Sequence, residues 1–410
     1  MRDSSESCFV CAVVSPRSYR MMEPSGDVTF SSVARELVTR GIAVLPEPPL
    51  SSDTERELRD SLDAFLTRPL EYRDAFSHAR FARESIYDGY SYFGQRATDC
   101  VNQYPTDMLH SFVLSDCADD PSTPCGCSHD FPVEFESVTS HATWRDAILH
   151  RIEALEEGVC AALDRALGLD GSSTGSFSEL LARHCCHMLS CNMYPPTHEI
   201  NSVPQAVVDD SKSCLSSSDP QPSPPPRRLR LSEHVDVSLL TVFPFGLGAG
   251  FSFVDPQTRE VTTLAAPIRA PVVFAGHLAE VISSGRVRAL RHCVALPCDV
   301  PGGGVDDDAR YSFACFSIPR LGHQIRVPAD ATILMSRLEC NDAVSAEACS
   351  HPFAFDLPHA AGTMSFCLSK AMVRAQDGDE LTFPSRDDSS DKDWKVVLSD
   401  DYYAAHNAQF

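Results

Sequence analysis

Apolar positions recur at two different periods along this 410-residue chain, and the change of period divides it. Helical spacing comes first. In 31–46, Ser31 and Ser32 stand where caps belong and Val33, Leu37 and Val38 fall at helical spacing. The pattern then becomes the apolar run Gly41-Ile42-Ala43-Val44-Leu45 before Pro46, so a helix feeding a short strand is predicted. A second helix is expected over 53–67, with Leu58, Leu62, Phe65 and Leu66 on one stripe. The clearest helix runs over 143–167, where Trp144, Ile148, Ile152, Leu155, Val159, Leu163 and Ala166 recur every three to four residues and Gly168 stops it. One apolar stripe of that length suits a rib that braces a sheet. Between these helices, 70–112 is aromatic and glycine-interrupted, with Tyr87, Tyr90, Tyr92, Phe93 and Phe112, and reads as loops packed on a core or lining a pocket. The acidic stretch 113–140 has little periodicity.

After residue 230 the texture is strand-like. The runs 239–243, 250–254, 260–264, 271–274, 291–296, 311–318 and 332–335 are short, β-rich and separated by Gly, Pro and Asp turns. That spacing implies a sandwich or barrel rather than alternating βαβ units, hence a mainly β protein with flanking helices. Between the two regimes, 201–230 holds Asp209, Asp210, the serines 216–218 and five prolines within 220–226. Such a composition cannot bury enough apolar surface to order itself. It is expected to be a flexible surface insertion offering, at most, weak docking to a polyproline-reading protein. The expected organisation is an edge or poorly ordered segment 1–30, a helical and β region 31–200 bracing the core, the insertion 201–230, a core 231–335, and an extension 336–410.

Composition narrows the function. At 43% hydrophobic residues the chain can build a sizeable core. Its 57 acidic and 34 basic residues give a net charge of -23, which disfavours nucleic acid; the one compact basic group is Arg227, Arg228 and Arg230. No run of about 18 apolar residues could span a bilayer, and the apolar stretch 8–14 is too short and wrongly flanked for a targeting segment. Seventeen cysteines, an odd number, fit a reducing cytoplasm better than a disulfide scaffold.

The chemistry is concentrated in Glu233-His234-Val235-Asp236, followed 58 residues after His234 by His292. In a strand, His234 and Asp236 are two apart and point to the same side of the sheet. A second imidazole from a neighbouring strand would complete a facial set of two histidines and one carboxylate, the ligand set of non-haem iron(II) oxygenases. Such a set leaves the opposite coordination positions free for a co-substrate and oxygen.

Around these residues the sequence resembles the isopenicillin N synthase-like 2-oxoglutarate and iron(II)-dependent oxygenases, whose core is a double-stranded β-helix, or jelly roll, of cupin type. The resemblance is carried by His234-Val235-Asp236-Val237-Ser238-Leu239-Leu240-Thr241, by Gly276 through Arg286 before the distal histidine, by Arg310-Tyr311-Ser312-Phe313, and by Asn192-Met193-Tyr194-Pro195-Pro196. It spans roughly 30–335 and is most specific over 188–320. It implies that His234, Asp236 and His292 hold Fe(II) and that Arg310 and Ser312 take the distal carboxylate of 2-oxoglutarate. Tyr194 and Asn192 would also contact that co-substrate. A guanidinium matches a carboxylate bidentately, as Lys would not. The implied activity is oxidation of a small molecule by O2, as hydroxylation, desaturation, cyclisation or epimerisation, with release of succinate and CO2. The substrate pocket would draw on the aromatics of 87–93, on Phe243 or Phe245, and on the tail, with Arg83 and Arg96 as candidate partners of an anionic substrate.

Departures from the family pattern are a long connection from Tyr194 to His234, His277 where Asp is frequent, Cys293 where Arg is common, and Arg310 18 residues beyond His292. Nearby alternatives are a same-fold iron oxidase that oxidises its substrate alone or uses ascorbate, and an inactive jelly-roll scaffold. Cys117, Cys125, Cys127 and His129 form a second, poorly spaced candidate metal set. His184, Cys185, Cys186 and His187 read as helix-end packing.

Overall fold

The computed structural model describes residues 29–76, 89–91, 109–115, 131–140, 142–169, 175–196, 229–236, 238–256, 260–283, 285–296, 309–319 and five short strands beyond. Helix α1 (Phe30–Arg40) is entered through a capping box between Thr29 and Ser32. It ends at Gly41 in the left-handed region, and β1 (Ile42–Val44) follows. Helix α2 (Ser52–Leu66) starts on the Ser51 hydroxyl, buries Leu58, Leu62 and Phe65, and is followed by the short α3 (Leu70–Asp74). After strands β2 (Gly89–Ser91) and β3 (His110–Ser115), helical turns at 133–139 lead into the long helix. That helix opens in wide π-type turns over Ala142–Leu149 and continues as α4 (His150–Leu167), closed by left-handed Gly168. Helix α5 (Phe177–His184) carries two caps. Ser176 takes the amide of Glu179, and the buried Asp164 of α4 takes the amides of Phe177 and Ser178.

Ten-residue β4 (Cys185–Tyr194) follows at once. The remaining strands are β5 (Leu229–His234), β6 (Leu240–Phe243), β7 (Phe251–Val254), β8 (Val261–Thr263), β9 (Val272–Ala275), β10 (His292–Ala295) and β11 (Arg310–Pro319). A helix, α6 (His277–Ile282), lies between β9 and β10. The strands form a seven-stranded antiparallel sheet, β1-β9-β6-β11-β4-β3-β2, and a four-stranded one, β5-β10-β7-β8.

Two apolar clusters explain the layering. On one face of the large sheet, Leu189, Cys191, Val242, Phe313 and Cys315 meet Leu37, Leu62, Phe65, Ile152 and Val159 of the helices. On the other face, Phe243, Val272, Phe274 and Ala314 meet Phe251 and Phe253 of the small sheet. Helices therefore cover one side of the large sheet and the small sheet covers the other. Among the described residues, no helix is long and apolar enough to cross a membrane.

Most expected elements appear within a residue or two. The strand 332–335, the insertion up to residue 228, the segment before Thr29, Arg83, Arg96, Tyr87, Tyr92 and Phe93 lie outside the described residues. Of the two readings of 70–112, the core one holds for Tyr90 and Phe112, which pair across β2 and β3 with their rings against Phe65, each 5.1 Å centroid to centroid, inside the helix-side core; the pocket role expected of Tyr90 is corrected by that placement.

Candidate metal centre and carboxylate site

Strand register builds the metal centre. His234 ends β5 directly opposite His292, which begins β10, so the two imidazoles share a face and their ring centroids lie 4.3 Å apart. Asp236 stands two residues past His234, just outside the strand. Its Oδ1 is 3.4 Å from His234 Nε2 and 3.9 Å from His292 Nε2. These are the three residues, among those described, whose ligand atoms converge within 4.8 Å of one another. The small sheet thus supplies both histidines, and the turn leading to β6 supplies the carboxylate.

Two of the three, His292 and Asp236, are held from behind. His292 Nδ1 lies 3.0 Å from the Leu290 carbonyl. A carbonyl only accepts, so Nδ1 carries the hydrogen and Nε2 presents its lone pair to the site. Burial, reinforced by neighbouring His234, pulls the His292 pKa down to about 4, so the ring is neutral at pH 7. Thr241 donates to Asp236 Oδ2 at 2.7 Å and in turn accepts from Ser238 at 2.7 Å, all three side chains being buried. Burial would raise the Asp236 pKa, but the imidazoles of His292 and His234 and the Thr241 hydroxyl hold it below the usual carboxylate value. The centre therefore sets a neutral imidazole's lone pair against a carboxylate oxygen. With Nδ1 hydrogen-bonded to the Leu290 carbonyl, the His292 Nε2 lone pair and Asp236 Oδ1 point toward one another, a donor pair that a cation would bridge. A facial pair of imidazoles with one carboxylate suits a first-row divalent metal.

The second group lies on the large sheet. In the β4/β11 ladder Arg310 is opposite Tyr194 and Ser312 opposite Asn192, so all four side chains share one face. It is the face of Ala314, which packs against the small sheet, and Tyr194 itself packs on Val294 and Leu231 of that sheet. The Arg310 guanidinium lies over the Tyr194 ring, 4.8 Å from its centroid, and Nη2 reaches the Gly248 carbonyl at 3.5 Å. Nε and Nη1 are shut off from solvent without a hydrogen-bond partner. Burial lowers the Arg310 pKa, with Tyr194 opposing, yet the group remains a cation. A buried guanidinium with two orphan donors is an incomplete anion site. Asn192 is oriented by Ser190, whose hydroxyl donates to Asn192 Oδ1 at 3.0 Å and also meets Ser111 at 3.0 Å.

The structure thus brings together His234, Asp236 and His292 in one cluster and Arg310, Ser312, Tyr194 and Asn192 in another, both on inward faces of the paired sheets. Phe243 packs on Phe251 and Phe274 beneath the histidines, and Phe245 sits edge-on to Phe313 in the helix-side cluster. His184 and His187 diverge instead. His184 meets Glu179, whereas His187 on β4 is bonded through Nε2 to Glu156 at 2.7 Å. The set Cys117, Cys125, Cys127 and His129 lies outside the described residues. The supporting residues Thr241 and Ser238 lie within a motif already singled out, but their roles required the hydrogen bonds. Gly248 carried no signal in sequence.

No protein-family model matches the chain, and no curated protein matches it. Solved structures do. A full-length Neurospora crassa protein, crystallised in complex with alpha-KG, aligns with a TM-score of 0.51 and 18% identity over 74% of this chain and 82% of that one. The same protein with alpha-KG and thymine aligns with a TM-score of 0.50 and 19% identity over 74% of this chain and 83% of that one. At these identities the likeness is one of fold. The chain shares its architecture with a protein crystallised with alpha-KG, which is 2-oxoglutarate.

Proposed function

We propose that this chain is an Fe(II)- and 2-oxoglutarate-dependent dioxygenase that oxidises a small organic molecule. The two packed antiparallel sheets are read as a jelly-roll core. The observation that carries the proposal is the convergence of His234, Asp236 and His292 between sheets that also enclose the orphan donors of Arg310. The sequence resemblance and the fold shared with the alpha-KG-bound Neurospora crassa protein support the same reading.

On this reading His234, Asp236 and His292 hold the iron by one face. When bound, Fe(II) supplies the redox chemistry that couples decarboxylation of 2-oxoglutarate to succinate and CO2 with oxidation of the substrate by O2. Arg310 would offer Nη1, on the edge away from Gly248, to the distal carboxylate of 2-oxoglutarate, aided by Ser312, while Tyr194 braces the guanidinium from one side and Asn192 offers its carboxamide beside it. Thr241 and Ser238 keep one Asp236 oxygen occupied, so the other stays aimed at the metal. Phe251 and Phe274, 5.2 and 4.9 Å from the His292 ring, exclude water from the floor of the site.

The test is an anaerobic titration of metal-free protein with Fe(II) and 2-oxoglutarate, watching for the visible charge-transfer absorption of the chelate. The band should appear in the native protein, vanish in His234→Ala and require far more 2-oxoglutarate in Arg310→Ala. Bound iron without a band would favour an oxidase that takes no 2-oxo acid, and no bound iron would leave a binding scaffold. Substrate screening by succinate release begins with pyrimidine bases, because the structurally similar Neurospora crassa protein has been crystallised with thymine.

A further inference from the structure

Position 248 lies in the loop between β6 and β7, 62 residues before Arg310, yet the three atoms nearest to a side chain placed there all belong to Arg310. A Cβ built on Gly248 would stand 2.4 Å from Arg310 Nε, 3.0 Å from Nη2 and 3.1 Å from Cζ. Because guanidinium geometry is fixed, those three distances locate the carbon close to the guanidinium plane, in the fork between Nε and Nη2. The contact is with the charged head itself, the end of a long side chain, which yields by leaving its place over Tyr194. The Gly248 backbone does not require a glycine for its own sake, since its φ is not in the positive range that marks Gly246 and Gly250 on either side. The missing side chain is therefore explained by the guanidinium.

We propose that Gly248 is a positioning residue for 2-oxoglutarate. By presenting bare backbone and its carbonyl to the Nε/Nη2 edge of Arg310, it lets the guanidinium keep its place over the Tyr194 ring, with Nη1 left for a carboxylate. Any side chain at 248 drives the guanidinium out of that slot. The inference rests on the co-substrate reading of Arg310 given above, and it adds a second determinant from a different strand connection. The loop β6–β7 and the strand β11 then fix the anion site jointly, as His234 and His292 fix the metal centre from two strands.

The experiment is a double-mutant cycle of Gly248→Ala and Arg310→Ala in full-length protein. Anaerobic Fe(II)-loaded samples are titrated with 2-oxoglutarate, and melting temperatures are recorded without either ligand. Gly248→Ala should weaken 2-oxoglutarate binding by at least about tenfold, the loss expected when a charge-assisted contact is displaced, while Fe(II) binding is unchanged. In the Arg310→Ala background the same substitution should change neither 2-oxoglutarate binding nor melting temperature, because the space it needs is then empty. Native-like 2-oxoglutarate binding by Gly248→Ala overturns the inference, and so does an equal further loss in the Arg310→Ala background. If Gly248→Ala alone does not fold, the double variant decides: it must be as stable as Arg310→Ala, and a less stable double variant overturns the inference. If the native Fe(II)-loaded protein binds no 2-oxoglutarate, the co-substrate reading itself fails and the role assigned to Gly248 falls with it. That result is recognisable because the melting-temperature coupling between the two positions would persist.

Discussion

Replacing Thr241 by Val tests whether the support behind the carboxylate matters to the metal. The substitution keeps the branched shape and removes the hydroxyl that donates to Asp236 Oδ2 at 2.7 Å. Neither partner is solvated, Thr241 being fully buried and Asp236 7% exposed, so water does not replace the lost bond. A hydrogen bond to a charged group is worth about 1.5–3 kcal/mol. Ser238, whose hydroxyl donates to Thr241, loses its acceptor as well, which adds about 1 kcal/mol to the cost of folding. Part of the loss falls on the metal-free protein, and the part that reaches the metal is the freedom Asp236 gains to turn its oxygens. Removing an outer partner of this kind typically weakens metal binding by about 10–100-fold. The assay is competition of Thr241→Val with a chelator of known Fe(II) affinity under argon, alongside urea unfolding of the metal-free form. Unchanged Fe(II) affinity in a folded Thr241→Val protein would refute the claim that the hydroxyl relay orients the ligand.

Other consequences are equally measurable. Arg310→Lys keeps the charge but not the planar fork, so 2-oxoglutarate binding should fall by about tenfold or more while Fe(II) binding holds, read from the same anaerobic titration. Glu156, fully buried on α4, accepts from His187 at 2.7 Å and from Ser317 at 3.1 Å. Glu156→Leu should therefore cost about 3–5 kcal/mol in urea unfolding, and a loss below about 1 kcal/mol would show that this polar bridge does not tie the helix to the sheet. His110, bonded to Tyr90, has a pKa pulled down to about 4 by burial and by the Arg73 charge. The unfolded chain binds a proton near pH 6.5 that the native state refuses until about pH 4, so stability falls as pH drops through that window. The loss reaches about 3 kcal/mol. His110→Gln should flatten that part of the pH profile, and a native-like slope in the variant would contradict the assignment.

Much of this molecule could be read from its sequence, for physical reasons that differ by region. The helices α1, α2 and α4 follow from single apolar stripes with recognisable ends, and β6 to β11 follow from short apolar runs between turn residues. The candidate metal set was legible because the two-residue spacing of His234 and Asp236 and the motif around them are distinctive, although Asp236 lies just past the end of β5. Strands β3 and β4 were obscure, since both faces of β4 are largely buried and its residues lack alternation. The helix α5 ending at His184 runs directly into it without a turn signal. Tyr90 reads as pocket lining in the sequence, and Phe112 as either core or pocket, because aromatic content alone does not say which face of a sheet a ring covers. The contacts between Glu156 and His187, and between Gly248 and Arg310, join positions 31 and 62 residues apart with no local pattern. Such pairs are set by packing and emerge only when the strands are in place.

The ten-residue ladder of β4 and β11 gives the chain something like a reading frame in space. On β11, Arg310, Ser312 and Ala314 face the inside of the paired sheets, whereas Tyr311, Phe313, Cys315 and Ser317 face the helices. Adding or deleting one residue within this strand would exchange the two sets, turning the guanidinium toward Leu62 and Phe65 and the core residues toward the candidate metal centre. Substitutions here can be absorbed one at a time, but changes of length cannot. Insertions are therefore expected to be tolerated in the connections that flank the ladder and not within it.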